Sequence, residues 1–307
     1  MAPDALRGGA RLVYGGGLER HPAALEPWRE AGRLYGNTPA VVTKVNDPKT
    51  FFPLLDRLGI DHPAVRWREP TRGDWLIKRA GASGGGHVRR WRSGVSVRAG
   101  EYWQRHVAGQ AVSVLFLANR RAVRIIGYNT LFQLDGGFAY AGAINRAELT
   151  HSRRAELAAV AQALTLELGL VGLNGIDFIA HHDGCLLLEL NPRPSATFEL
   201  YDEDFMRGLM FWHLQACRGR LYPTSSQGRN AVRLRKILFV KTGYTVPPGL
   251  NWPDWVRDIP QPGVTIGADE PLCTIAAAGS DAAAVLALAR QRELTLVGWL
   301  DAARRAA

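Results

Sequence analysis

The chain has 307 residues and a formal charge of +10, with 47% hydrophobic and 21% charged residues. That length accommodates about two domains with cores of their own, and the composition is that of an ordinary globular protein. Three dispersed cysteines, Cys185, Cys217 and Cys273, form no CxxC or Cys/His pattern, which argues against disulfides and structural zinc and leads us to expect a reducing cytoplasm.

No apolar run approaches the roughly 18 residues needed to span a bilayer, and the start lacks the apolar core of a secretion signal. Neither a membrane nor export is expected. Positive charge invites a nucleic-acid partner, but the arginines are scattered (Arg79, Arg89, Arg90, Arg92, Arg98, Arg153, Arg154, Arg233 and Arg235), with no basic tail and no recognition-helix pattern. Nucleic acid is therefore not expected either. Only five of the 38 basic residues are lysines, namely Lys44, Lys49, Lys78, Lys236 and Lys241. A surplus of positive charge suits an enzyme that handles nucleotides and acidic substrates.

In chain order, residues 11–45 read as a strand, a turn at Gly15-Gly16-Gly17, a helical stretch and a second strand over Ala40 to Val45. Asp47-Pro48 supplies an N-cap and a Pro at the first helical position of a helix that stops at Gly59, with Pro53 a disturbance inside it. Trp75-Leu76-Ile77-Lys78 and His87-Val88-Arg89-Arg90-Trp91 read as strands around a glycine-rich loop, and strand-like segments follow at 111–128 and 138–144. Leu157, Val160, Ala161, Leu164 and Leu168 recur at helical spacing up to a stop at Gly169. A hairpin, a helix over about 202–217, a Ser/Thr/Gly break at 224–228, short strands and a final helix near 281–303 complete the chain.

The hairpin carries the chemistry. Gly175-Ile176-Asp177-Phe178-Ile179 and Leu188-Glu189-Leu190-Asn191-Pro192-Arg193 flank a turn containing Asp183-Gly184, a strong signal for two antiparallel strands. Alternation places Glu189, Asn191 and Arg193 on one face, near Asp177, with Leu188 and Leu190 on the other. Two carboxylates and an amide oxygen suit Mg²⁺. Acidic residues on one face of a hairpin can also be merely solvated, so the remainder of the chain decides.

Lys78-Arg79-Ala80-Gly81-Ala82-Ser83-Gly84-Gly85-Gly86-His87 is a lysine at the end of a strand followed by glycines whose amides can approach phosphate oxygens. It is not a Walker A loop, which needs Lys after the last glycine at the start of a helix. Gly81-Ala82-Ser83-Gly84-Gly85 also satisfies G-x-S-x-G, and Asp177 and His213 follow in hydrolase order. That elbow requires a helix after the serine, however, and the sequence there is strand-like. Glu101-Tyr102-Trp103-Gln104-Arg105-His106-Val107 reads as a strand leading into a turn, the kind of hinge that offers backbone groups to an adenine ring.

In this order, the lysine with its glycine lid, the hinge and an acidic hairpin ending Glu-x-Asn-x-Arg resemble the ATP-grasp superfamily over about residues 40–215. The resemblance implies ATP and Mg²⁺ (or Mn²⁺) as cofactors. Lys78 and the lid glycines Gly84, Gly85 and Gly86 would lie on the phosphates, and Gln104, Arg105 and Val107 at the adenine and ribose. Asp177, Glu189 and Asn191 would be the metal ligands, and Arg193 would steady the reacting carboxylate or acyl phosphate. Two departures stand out: Gln104-Arg105 replaces the common Gln-Glu, and Asp47-Pro48-Lys49 replaces Asp-Lys.

The resemblance implies an α+β, ATP-grasp fold with a reduced N-terminal α/β segment (1–45), an ATP-grasp domain (46–222; lid about 70–103, acidic hairpin 174–193) and a small C-terminal β-rich domain with a terminal helix (229–307). Within the superfamily the chain looks most like the predicted ATP-dependent carboligases, including the tyramine-glutamate ligase type linked to methanofuran and tetrahydromethanopterin. That implies a carboxylate-amine ligase acting on small molecules through an acyl phosphate in cofactor biosynthesis, with oligomerisation possible. Carboxylation through carboxyphosphate and non-catalytic nucleotide binding are the alternatives, and a serine hydrolase using Ser83 is a remote one.

Overall fold

A computed structural model describes residues 8–95, 97–222 and 231–306. The expected break at 224–228 lies outside the described residues.

Two sheets face each other across a cleft. The larger has eight antiparallel strands in the order β12-β14-β10-β7-β6-β5-β8-β9: β5 Gln110–Asn119, β6 Val123–Gln133, β7 Tyr140–Ile144, β8 Val171–Ala180, β9 Cys185–Asn191, β10 Val232–Phe239, β12 Val256–Arg257 and β14 Pro271–Gly279. The smaller is β1-β4-β2-β3, formed by Val65–Arg66, Glu101–Arg105, Trp75–Arg79 and Arg89–Arg90. A two-stranded ribbon pairs β11 Tyr244–Thr245 with β13 Thr265–Ile266.

Both faces of the large sheet are covered, so its central strands read as nearly continuous apolar runs. Val112, Val114 and Phe116 turn to one face, where they pack with helices α3 (Pro48–Leu58) and α4 (His151–Leu168) through Phe52, Leu55, Leu157 and Leu164. Leu115, Leu117 and Leu173 turn to the other, beneath Leu200, Tyr201 and helix α5 (Gly208–Cys217). The helix ends follow their caps: the Asp47 carboxylate accepts the Lys49 amide at 3.1 Å, and Gly59 ends α3 at φ 66°. The Thr150 hydroxyl caps α4 by accepting the Arg153 amide at 3.2 Å.

One expectation is corrected. Ala40 to Val45 belongs to a helix, α2 Pro39–Asn46, because the Thr38 hydroxyl caps it and Pro39 opens it; the Val-Val-Thr run suggests a strand, but cap chemistry overrides that propensity. The described part of the N-terminal segment also holds a short helix α1 (Glu26–Glu30), two 3₁₀ turns and one isolated bridge, Leu12 to Leu34, and contributes no strand to any sheet. The C-terminal strands join the central sheet. β10 pairs with β7 through Leu234↔Ile144 and with β14 along its length, so the central sheet continues into them. The final helix α6 (Ala282–Ala306) packs on these strands through Val285 and Ala289.

Candidate functional site

Between the two sheets lies a cavity of about 600 Å³. The register of β2 with β4 sets Leu76 opposite Gln104 and Lys78 opposite Tyr102. Alternation therefore turns Leu76, Lys78 and Gln104 toward the cleft, while Trp75, Ile77 and Trp103 form an apolar cluster on the far face.

The hairpin supplies the opposite wall. Asp177 pairs directly with Glu189 and Gly175 with Asn191. Asn191 Nδ2 donates to Asp177 Oδ2 at 3.3 Å and to Glu189 Oε1 at 3.2 Å, which ties the three side chains together. A bulge follows: Phe178 pairs with Leu187, leaving Leu188 without a partner residue. The extra residue breaks the period-two rule, so Leu188 lines the cleft while Leu190 stays in the core. Leu188 was expected on the apolar face.

Electrostatics binds these walls together. Burial pushes the Asp177 carboxyl well above the usual carboxylate range, and the Glu189 charge and a hydrogen bond between the two carboxyls push the same way. Burial lowers the Lys78 ammonium, while the attraction of Glu189 and Asp177 opposes that fall. Two carboxylates forced together are short of positive charge, and their oxygens are hard donors, so the residues present fit a divalent cation such as Mg²⁺ or Mn²⁺. Asn191 offers its amide nitrogen to the carboxylates here; as a ligand it would have to present Oδ1 instead.

Beyond the hairpin, Arg193 Nε and Nη2 donate to Glu19 Oε2 and Oε1 at 2.6 and 2.9 Å. Burial works against the guanidinium charge, but the hydrogen bond and attraction from Glu19 outweigh it and raise the pKa. The strand end is fixed from behind, where Tyr14 Oη and Asn37 Nδ2 both donate to the Pro192 carbonyl, at 3.0 and 2.9 Å, and Asn37 Nδ2 also donates to Asn174 Oδ1 at 2.7 Å.

The glycine loop is seated on the turn between β6 and β7. Tyr140 N donates to Gly84 O at 2.9 Å, and Gly84 and Gly85 have φ of 77° and 73°. A Cβ on Gly85 would fall 1.9 Å from the Phe138 carbonyl oxygen, so only glycine fits. Gly86 is not among the residues lining the cleft, and a Cβ there meets nothing within 4 Å.

At the hinge, Gln104 is buried with Nε2 unpartnered, and Val107 lines the cleft. Arg105 lines the cleft, and its guanidinium lies over Trp75, 5.7 Å from the ring centroid. Lys49 is not in the cleft, and its Nζ sits 5.9 Å from the Trp67 ring centroid.

The hydrolase reading fails. Ser83 lines the cleft with Asp177, but no helix follows Ser83, and both ring nitrogens of buried His213 are engaged elsewhere, Nδ1 by the Leu173 amide at 2.9 Å and Nε2 by the Tyr35 carbonyl at 3.0 Å.

Three residues at the site were given no role by the sequence. Glu19 reaches Arg193 only through the tertiary fold. His87 closes the lid motif, lines the cleft and leaves Nδ1 buried without a partner; its pKa is lowered by burial and then by Lys78. Tyr140 holds the lid through its amide, and its phenol is raised by burial and by Asp177.

Residues 46–197 match the ATP-grasp domain family, so the chain carries an ATP-grasp domain. Solved structures show the same fold. N5-carboxyaminoimidazole ribonucleotide synthetase from Thermotoga maritima superposes with a TM-score of 0.73 at 13% identity, over 95% of this chain and 82% of that one. L-amino acid ligase from Bacillus licheniformis gives 0.68 at 16% identity, over 86% and 74%. Biotin carboxylase from Campylobacter jejuni, solved with an ATP analogue, gives 0.69 at 13%, over 90% and 72%. An uncharacterised protein of Methanocaldococcus jannaschii is 28% identical over 108 residues, 35% of this chain and 26% of that protein. No described helix is long and apolar enough to cross a membrane.

Proposed function

We propose that the protein is an ATP-dependent carboxylate-amine ligase. One observation carries the reading: Lys78, Asp177, Glu189, Asn191 and Arg193 converge at one end of a cavity whose other end offers the hinge, under a lid seated on Phe138 to Tyr140. Adenine would lie at the hinge against Gln104, Val107 and Leu188, with the phosphates toward Lys78. A divalent ion held by Asp177, Glu189 and Asn191 would neutralise phosphate charge.

The substrate carboxylate attacks the γ-phosphorus. An O–P bond forms, the bond to the β-phosphate oxygen breaks, and ADP leaves. The amine then attacks the acyl carbon, a C–N bond forms, phosphate departs and the amine proton goes to solvent. No side-chain nucleophile is needed, and the protein's part is to position the reactants and offset charge. Lys78 and the lid amides act where charge builds on the transferred phosphoryl.

The similarity in fold to an L-amino acid ligase and an N5-carboxyaminoimidazole ribonucleotide synthetase supports the ligase reading. Resemblance to ligases of one-carbon-cofactor pathways supports a small acidic or amino-acid-like substrate in cofactor biosynthesis.

The test begins with melting temperature, with and without Mg·ATP. A ligand at about a hundred times its Kd adds roughly 2.7 kcal/mol, and this gain should vanish in Lys78→Ala and Glu189→Ala. ADP release requiring both an acid and an amine then identifies the ligase. Dependence on bicarbonate would assign carboxylation instead, and nucleotide binding without turnover across acid–amine pairs would leave a non-catalytic binder. No shift in a cooperatively melting wild type would refute the nucleotide site.

A further inference from the structure

Arg193 is already holding a carboxylate. A guanidinium has five N–H donors, and four of Arg193's are engaged: Nε and one on Nη2 by Glu19, the other on Nη2 by Asn191 Oδ1 at 3.2 Å, and one on Nη1 by the Pro194 carbonyl at 3.2 Å. The pair is sequestered, with side-chain exposures of 10% for Arg193 and 6% for Glu19. Asn46 Nδ2 tethers the Glu19 carbonyl at 2.9 Å, and the chain at Gly16 runs close above the guanidinium, where a Cβ would lie 3.7 Å from Cζ.

Arg193 lines the large cleft, whereas Glu19 lines a small cavity that shares Lys78, Glu189 and Asn191 with that cleft and a second, outer cavity bordered by Arg20 and Arg79.

We propose that Glu19 is a specificity-determining residue that keeps Arg193 occupied against a substrate monocarboxylate and releases it only to a phosphoryl dianion. The inference rests on the ligase reading above. A substrate carboxylate replacing Glu19 would exchange one bidentate pair for an equivalent one and leave Glu19 buried without its partner, so exchange gains nothing. A phosphoryl group carries nearly twice the charge and three acceptor oxygens, enough to displace Glu19 toward the cavity bordered by Arg20 and Arg79. Arg193 then binds the phosphoryl group and ignores the free acid. Glu19 acts through Arg193 and is a positioning residue.

The probes are inorganic phosphate and acetate, titrated calorimetrically into protein saturated with Mg·ADP. Wild type should prefer phosphate at least tenfold. Glu19→Gln should bind phosphate at least tenfold more tightly than wild type and acetate more tightly as well, and adding Arg193→Ala should erase both gains. Equal phosphate affinity in wild type and Glu19→Gln, a gain that survives Arg193→Ala, or a wild type that takes acetate as readily as phosphate would each overturn the proposal. Should Glu19→Gln fail to fold, Asn46→Ala removes only the backbone tether and should shift phosphate affinity in the same direction by about threefold; no shift there counts against the proposal equally. A wild type that binds no Mg·ADP would sink the ligase reading itself, whereas intact ADP binding with Glu19-independent phosphate binding sinks this inference alone.

Discussion

The two ends of the cleft satisfy their polar groups to different degrees. At the acidic end Asp177, Glu189, Asn191, Arg193 and Glu19 are joined in one chain of hydrogen bonds, and Lys78 stands in the field of the carboxylates, with His87 Nδ1 left without a partner beside them. At the hinge end Gln104 Nε2 is buried with no partner. Buried polar groups normally find partners, and an exception calls for a reason. The charged end cannot be left open, because isolated buried charges are far too costly, so it is organised in advance. A neutral amide is cheap enough to leave waiting. The charged end is thus organised by the protein itself, while Gln104 Nε2 is left open to a ligand.

The largest test of this contrast is Glu189→Gln. Removing one of two crowded carboxylates should cut nucleotide-dependent turnover by about 10²–10³-fold, the scale of losing one preorganised electrostatic group. Relief of the repulsion on Asp177 should at the same time raise the melting temperature of the ligand-free protein, by about 2–4 °C for each kcal/mol in a domain of this size. A variant that loses both activity and stability would show that the crowding is not stored for function.

Gly85→Ala comes next. A positive φ costs a non-glycine residue about 1–2 kcal/mol, and the contact with the Phe138 carbonyl cannot be relieved without unseating the loop. The KM for ATP should rise about tenfold, while Gly86→Ala, with open space around it, should change little. Equal effects at the two positions would mean that the loop is not anchored at Phe138. The smallest effect belongs to Gln104→Leu, which should stabilise the ligand-free protein by up to about 1 kcal/mol by removing an unsatisfied buried amide. The same change should weaken nucleotide binding by roughly tenfold, about 1.4 kcal/mol. Calorimetry and thermal melts on one preparation read both signs.

The acidic hairpin was legible because its information is local. An Asp-Gly turn and period-two alternation set Asp177 opposite Glu189, and the structure has that pair. Helix α3 was legible from Asp47, Pro48 and Gly59 for the same reason. Ala40 to Val45 misled because β-branched residues suit strands, while one hydroxyl at Thr38 decided for a helix. Leu188 misled because a bulge is a mismatch between two strand lengths, invisible in either strand alone. Arg105 lines the cleft, and only the tertiary structure shows its guanidinium over Trp75.

The sequence by itself determined which chemistry is present: a lone lysine before a glycine loop, a hinge, and a strand ending in an acid, an amide and an arginine. All of these depend on contacts between residues close in the chain or on the fixed period of a strand. Tertiary structure alone decided that Glu19 caps Arg193 across 174 positions of sequence, that the lid rests on Phe138 to Tyr140, and that the C-terminal strands extend the central sheet. These are encounters between distant segments, set by how whole layers pack, and no local periodicity encodes them.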